Sequence, residues 1–474
     1  MILFSLHGNL ALRLPASGHA ACRASSVREE EALRDLARLG FLRAVDDGLA
    51  GTRWLWSSDH PAVDRDLLVL LARFDLHLEV GMAADEHVWI AAAVKDGTSD
   101  EPAGEAFSGT GFRPDDAVRS CLGEFAEFQS WLYRPGDSGM RCDRRALGES
   151  AIDAWDVIGF APEQCHRRLD LNRAWHGYDA IPEPTAFDGE VDWTAVKPLP
   201  DGPTHWLPSQ ICFGRYAAGA WRSDSNGCAA GRSPDHAMAH ALLELVERDA
   251  TGIWWYGRIS RPGVPQSLLE SDPLAEALAK RTEMGQRVWL LDLTHDLEIP
   301  VIAAILIDRD GTLQSLGFGC HVSQVHAARS AYLEMCQMEL SVNFIRRRVA
   351  RSGDQAALGD RRLLDWMSPV NAGRLAHLRP AQGPIARPAP TASDEEERIA
   401  ELVLGRLQRA GLTAYGADLH RADVGVPAVR VFVPGLCHYK PRLGHRRLVE
   451  VPKKLGWKPD DFRTGDLSSL LLLI

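Results

Sequence analysis

Residues 227–247, GCAAGRSPDHAMAHALLELVE, open on a glycine-containing turn and run into an apolar helical pattern. Two other segments superimpose on this one when aligned on a glutamate: GTGFRPDDAVRSCLGEFAE at 109–127 and GFGCHVSQVHAARSAYLEMCQ at 317–337. The aligned residues are Glu124, Glu244 and Glu334. Seven positions earlier each copy has alanine (Ala117, Ala237, Ala327), and three positions earlier a small residue (Cys121, Ala241, Ala331). Three positions later stands an acid or amide: Glu127, Glu247 and Gln337. A repeat of this kind marks one supersecondary unit used three times. Pro114 and Pro234 fall where a first helical turn tolerates proline.

These offsets lie along one face of an α-helix. Small residues there let three helices approach something closely, and the carboxylates converge on it. Residues on the other side are apolar: Leu122 and Phe125, Leu242 and Leu245, Tyr332 and Met335. Five carboxylates and an amide on such a face repel unless cations neutralise them. Hard oxygen donors of this type suit magnesium shared with phosphate oxygens.

Outward from the repeat the texture is mixed. Segments 76–82, 87–94, 286–293, 300–308 and 426–435 read as strands, and a further short strand, TLQSLGF, starts at Thr312. The fold class is α/β (α+β mixed). Residues 376–392 carry four prolines without periodicity and read as a linker or exposed loop. Ser393 with Glu396 forms a capping box before the next helix. Residues 1–75 read as a small N-terminal module, with a helical stretch at 27–42, that serves as a structural cap or a docking unit. Residues 76–474 form the main domain.

Lysine plus arginine is 53 and aspartate plus glutamate 64 among 474 residues, a net charge of −11, so no general basic field exists to hold nucleic acid or an anionic membrane. The nine cysteines are odd in number and never spaced C-x-x-C, which argues against a disulfide framework or a zinc ribbon and for a reducing cytoplasm. No apolar run is long enough to span a membrane, and the N-terminus lacks the basic region of a signal peptide.

The segment 223–250, SDSNGCAAGRSPDHAMAHALLELVERDA, resembles the signature of the YcaO family, and 108–128 is similar to that family's first ATP helix. The copy ending in LEMCQ is similar to its third. VFVPGLCHYKPRLGHRRLVEVPKKLGW at 431–457 resembles the C-terminal part of the azoline-forming cyclodehydratases, as do LDLNRAWHGYDAIPEP and WLPSQICFG. The resemblance implies a YcaO-like ATP-binding fold with a magnesium–ATP site between the three helices. Glu124, Glu127, Glu244, Glu247 and Glu334 would hold metal or phosphates, and Arg248 and Gln337 would complete the phosphate shell. Ser120, Ser225 and Asn226 would contact the nucleotide. It departs from the family pattern at Thr110, Phe128 and Ser330, where lysine, arginine and arginine are usual, and Arg329 is placed to stand in for the last. Glu247 and Arg248 would be catalytic. The tail, DLSSLLLLI, lacks the family's prolines, so either its terminal Ile474 serves as the catalytic carboxylate or the base lies elsewhere.

The implied chemistry is backbone amide activation of a ribosomally made precursor peptide, turning Cys, Ser or Thr into thiazoline or (methyl)oxazoline rings. Implied partners are that peptide, a leader-binding subunit resembling ubiquitin-activating enzymes, a flavin dehydrogenase and a second copy within a larger complex. Thioamide or amidine formation, or a non-catalytic nucleotide-binding scaffold, are the alternatives. The adjacent pairs Cys165-His166, Cys320-His321 and Cys437-His438 read as structural, because neighbours on a strand point to opposite faces. Arg346, Arg347, Arg348 and Arg351 read as a basic helix end or as a clamp for phosphates or an acidic leader peptide. Trp254, Trp255 and Tyr256 read as core.

Overall fold

The computed structural model describes residues 76–95, 105–216, 221–270, 272–352, 357–383 and 396–473. It also describes short strands at Ile2–Ser5, Gly8–Arg13, Cys22–Arg23, Leu42–Val45 and Arg53–Trp56, and single positions at 34, 67, 70–71 and 73–74. The expected helix at 27–42 lies outside the described residues, apart from Arg34, which is helical, and Leu42, which opens a strand. The capping Ser393 and the C-terminal Ile474 also lie outside them. The chain forms two compact units, Met1–Gln129 with Arg421–Val426, and Ser130–His420 with Pro427–Ile474.

In the first unit, β1 (Ile2–Ser5), β2 (Gly8–Arg13), β3 (Leu76–Met82), β4 (Trp89–Lys95) and β5 (Glu105–Gly111) make one sheet in the order β2-β1-β3-β4-β5. β1 pairs in parallel with β3, Leu3 opposite Leu78, so this unit runs across the boundary expected at residue 75. Leu76, Leu78 and Val80 alternate inward along β3 while Glu79 faces out, the period of a half-buried strand. Helix α1 (Pro114–Trp131) follows β5 and sets Phe125 edge-to-face against Phe74 and Phe107.

Among the described residues the second unit carries one two-stranded pair and two large sheets. One joins β6 (Met140–Asp143), β7 (Glu190–Pro198), β8 (His205–Pro208) and β9 (Cys228–Ala230) to two late strands described below. The other is an antiparallel meander of β10 (Arg287–Asp292), β11 (Val301–Ile307) and β12 (Leu313–Cys320). Every residue of β11 is buried, as its unbroken apolar run requires of a central strand covered on both faces. Strands β13 (Tyr415–Asp418) and β14 (Ala428–Phe432) complete the first sheet, β14 pairing with β9. The main helices are α2 (Pro234–Gly257), α3 (Gln324–Ser352), α4 (Glu396–Arg409) and α5 (Arg447–Lys454). Ser233 caps α2 by accepting from His236 N at 3.1 Å, with Pro234 in its first turn.

Trp254, Trp255 and Tyr256 are core residues, as their position in the sequence suggests. The proline-rich stretch is only partly a loop. Residues Ala376–Leu378 form a helical turn with His377 and Leu378 buried, and Pro380–Ala381 pairs in parallel with Arg261–Pro262. His377 O also accepts from Trp254 Nε1, which ties the turn to the core.

The small residues of the threefold repeat serve a purpose other than the one their spacing suggested. They face their own unit's strand. A Cβ on Gly109 of β5 would stand 2.1 Å from Cys121 N and 2.6 Å from Ala117 O of α1. One on Gly319 of β12 would stand 2.3 Å from Ala327 O and 2.5 Å from Ala331 N of α3. Strand and helix therefore touch backbone to backbone, glycine against alanine or cysteine. Replacing Gly317, whose Cβ would meet Met335 N at 2.1 Å, by alanine is expected to cost about 2–3 kcal/mol, the scale of overpacking against atoms that cannot yield. Gly405→Ala in α4, where the nearest atom is 3.8 Å away, should instead gain roughly 0.5–1 kcal/mol. Chemical denaturation of both variants beside wild type reads the difference.

Candidate functional site

The three glutamates of the repeat make the same bond. Ser108 N donates to Glu124 Oε2 at 3.1 Å in the first unit. In the second, Gly227 N donates to Glu244 Oε2 at 2.8 Å, and Phe318 N donates to Glu334 Oε2. Each helix glutamate thus reaches back to the backbone of the strand or turn just upstream, and the close glycine contacts make that reach possible. Such charge-assisted bonds hold a carboxylate in one place.

Around Glu244 and Glu334 the second unit gathers further charge. Arg248 Nη2 lies 3.4 Å from Glu244 Oε1, and Nη1 lies 2.9 Å from Glu247 Oε1. Glu247 also accepts from the backbone of Cys320, at the end of β12. Burial pushes the Glu247 carboxyl up to about 8, with Arg248 opposing the rise and Glu334 and Glu244 adding to it. Burial likewise raises Glu244 and Glu334 against the pull of Arg248. Burial works against the charge on Arg248, but Glu247, Glu244 and Glu334 outweigh it and hold the guanidinium firmly cationic. In the first unit Glu124 is exposed on α1, where desolvation raises its carboxyl against the pull of the Ser108 N–H.

One guanidinium therefore faces three carboxylates, Glu247 buried and Glu244 and Glu334 half-buried. Among the described residues no three His, Cys, Asp or Glu side chains are gathered as ligands of one ion. Arg248 stands between Glu244 and Glu247 in that role. Three polar atoms here are buried without a hydrogen-bond partner, Arg248 Nε, Arg248 Nη1 (which meets Glu247 only as an ion pair) and Asn226 Oδ1. Excess buried and half-buried carboxylate, unmet guanidinium nitrogens and an unmet amide oxygen suit a magnesium-bound polyphosphate. The donors are hard oxygens for the metal, and Arg248 Nε is a donor for a phosphate.

The other sequence-derived candidates distribute as follows. Ser225 and Asn226 lie in the turn before β9, where Ser225 O accepts from Cys228 N at 2.7 Å and Gly227 takes a positive φ of 78°. Gln337 is one turn beyond Glu334 and shares a cavity with it. Ser120 is exposed and Glu127 half-buried on α1, in the other unit. Arg329 is engaged elsewhere, in an ion pair with Asp272. Five residues before Glu334, it points to another side of the helix. Arg346 donates to Gln314 and Arg348 pairs with Asp360, so both anchor α3 to its neighbours. Burial raises the thiols of Cys165, Cys320 and Cys437, which remain protonated, in keeping with a structural role.

Some residues were not picked out by the sequence. Tyr439 sets its ring 5.1 Å from the Arg248 guanidinium. The segment around it is fastened by buried ion pairs. Arg442 spans Asp179 (2.9 Å) and Asp224 (2.5 Å), and Lys440 Nζ lies 3.3 Å from Asp224. Burial would raise the Asp224 carboxyl, but Arg442, then Lys440 and His438, hold it well below the ordinary range. Beside Arg248 in sequence, Asp249 is fully buried, pairs with Arg447 at 2.6 Å and accepts from Cys437 N at 2.7 Å. Arg447 also reaches Asp296 at 2.8 Å. Apart from Asp179 and Asp296, these lie inside the quoted stretches 223–250 and 431–457, but partners some 150 to 260 residues apart share no local pattern.

The tail is also held. Trp255 Nε1 donates to Leu470 O (2.8 Å), Trp366 Nε1 to Leu471 O (2.7 Å) and Tyr178 Oη to Leu472 O (2.6 Å). Three consecutive carbonyls are thus fixed without any proline.

Fold and site define a mixed α+β protein built on repeated strand–helix units, each bearing a backbone-anchored glutamate. The chain belongs to the YcaO family: the family's sequence model, YcaO cyclodehydratase, ATP- and Mg2+-binding, matches residues 108–437. An uncharacterised protein of Methanothermobacter thermautotrophicus is 28% identical over 275 residues, covering 54% of this chain and 68% of that protein. Among solved structures, a heterocyclase in complex with substrate and cofactor is 26% identical with a TM-score of 0.75, over 84% of this chain and 54% of that one. The heterocyclase TruD is 28% identical with a TM-score of 0.65, over 75% and 50%. The chain spans about half the length of these two heterocyclases. The YcaO protein of Methanopyrus kandleri bound with AMPPCP and Mg2+ shares the fold at 20% identity, with a TM-score of 0.54 over 86% of this chain and 91% of that one. No helix among the described residues is long and apolar enough to cross a membrane.

Arg447→Met would leave Asp249 and Asp296 buried without their cation. The expected result is a loss of about 3–5 kcal/mol in the unfolding free energy, measured by chemical denaturation.

Proposed function

We propose that this protein is an ATP- and Mg2+-dependent cyclodehydratase that activates backbone amides of a ribosomally made peptide, forming thiazoline or (methyl)oxazoline rings. The observation that carries the proposal is the surplus of buried and half-buried carboxylate around Arg248, with Arg248 Nε and Nη1 and Asn226 Oδ1 lacking hydrogen-bond partners. Glu244, Glu247 and Glu334 of the second unit would hold the metal. Ser225, Asn226, Arg248 and Gln337 are assigned to the nucleotide, whereas Arg329 is taken by Asp272. Glu247, Arg248 and Ile474 are the groups assigned to catalysis. The likeness to the two heterocyclases supports this assignment, together with the family's description.

In the proposed reaction a Cys, Ser or Thr side chain of the peptide adds to the carbonyl carbon of the preceding amide. The resulting oxyanion takes the terminal phosphoryl group of ATP, and ADP departs. The side-chain addition has already closed the ring; the C–O bond then breaks as the amide nitrogen loses its proton and the ring C–N bond becomes C=N, releasing phosphate. Bound magnesium supplies charge neutralisation at the phosphates. The protein's part is positional: backbone bonds fix Glu244 and Glu334, Glu247 fixes Arg248, and Tyr439 covers one side of the guanidinium, so that a charged donor meets the phosphates already oriented. Proposed partners are the precursor peptide, a leader-binding subunit resembling ubiquitin-activating enzymes, a flavin dehydrogenase and a second copy of the chain.

Incubation with a Cys-containing precursor, ATP and Mg2+, alone and with candidate partner proteins, should remove one water per ring by mass and release ADP. Exchange of oxygen for sulfur would indicate a thioamide product, and neither mass change nor ATP turnover in any combination would leave a scaffold. Glu247→Gln should lower turnover by roughly 10²-fold or more with an unchanged melting curve. Chelation should stop turnover in wild type, and added Mg2+ should restore it. Wild-type rates in Glu247→Gln would remove the metal assignment.

A further inference from the structure

A cavity of about 450 Å³ opens in the second unit beside the glutamate site. Helix α3 lines it with Glu334, Gln337, Met338, Ser341 and Val342, the spacing of one helix face. Eight residues of helix make that face about 12 Å long, the length of three to four residues of extended chain. Leu316 and Leu363 add apolar wall, and Leu473 brings in the anchored tail. Tyr178 lines the cavity while its hydroxyl fixes Leu472 O.

The cavity has one cation, Arg362, from the helix Leu358–Met367. Its guanidinium lies 5.3 Å from the Tyr178 ring centroid, and Nη1 donates to His176 O at 3.4 Å. Among the described residues no carboxylate pairs with it, although the chain carries eleven more acidic than basic charges. Burial lowers its pKa, opposed only by Tyr178. An arginine set over an aromatic ring, with one nitrogen on a backbone carbonyl and no carboxylate on its fork, is pre-organised for a carboxylate. The walls are apolar and sized for a short extended segment, within the range of ordinary ligand cavities.

We infer that this cavity is the acceptor subsite of the peptide: it takes an extended stretch of small or apolar residues and selects, through Arg362, for an acidic side chain close to the reacting residue. The inference rests on the function proposed above. Neither Arg362 nor Ser341 belongs to the proposed catalytic or nucleotide-binding set.

The test uses short fluorescein-labelled peptides with one cysteine among alanines, flanked by either Glu or Lys, and fluorescence anisotropy with the full chain. Mg2+·AMPPCP binding is measured in parallel by calorimetry. Wild type should bind the Glu peptide about tenfold more tightly than the Lys peptide, and Arg362→Glu should reverse the order. Ser341→Trp, at an exposed position on the cavity face, should weaken both peptides about tenfold by filling the space. Nucleotide affinity should stay within about twofold in both variants. Absence of peptide binding, absence of a preference in wild type, or variants indistinguishable from it would overturn the subsite. Loss of Mg2+·AMPPCP binding by wild type would instead remove the proposed function itself, so the two failures are separable.

Discussion

Three glutamates, each bonded to the backbone N–H of a strand or turn 16 or 17 residues upstream, set the terms for everything around them. The bond exists only where helix and strand come close enough for a carboxylate to span the gap. Glycines 109, 317 and 319 permit that closeness, because a single added carbon would enter the opposing helix backbone. Alanine or cysteine supplies the other half of the contact. The packing that stabilises each unit and the placement of its charge are therefore one arrangement, and neither survives without the other.

Charge buried this way is costly unless it is matched. The second unit matches it in part. Arg248 serves Glu244 and Glu247, and burial still leaves the Glu247 carboxyl raised to about 8. Elsewhere the matching is tight: Arg442 with Asp179 and Asp224, and Arg447 with Asp249 and Asp296. These locks bind the late segment 437–447 onto Asp179, the turn at Asp224, Asp249 of α2 and Asp296, beside the contact of Tyr439 with Arg248. Fully paired charge fixes the frame, and unpaired charge marks where a ligand belongs. That contrast, within one protein interior, supports reading the glutamate cluster as a phosphate and metal site.

The tail follows the same logic of fixed donors. Two indoles and a phenol hold three successive carbonyls, so a leucine-rich segment without proline is fixed in place. Trp255 and Trp366 are core side chains, so the tail is positioned by the hydrophobic interior itself.

The sequence alone determined the three strand–helix units, the register of their glutamates and the family, because helical spacing and a repeated turn are local properties that one chain displays to itself. Strands 76–82 and 301–307, and the helix after residue 395, were legible for the same reason. Only the tertiary structure decided which way the small residues face. Ala117 and Ala327 lie on the same helical line as the glutamates, yet they meet glycines of a strand, which no helical wheel contains. It also decided that Arg329 pairs with Asp272, that part of the proline-rich stretch is built into a sheet, and that Arg442, Arg447 and Tyr439 serve the site. Ion pairs between residues some 150 to 260 positions apart obey distance and burial in three dimensions, and spacing along the chain carries no trace of them.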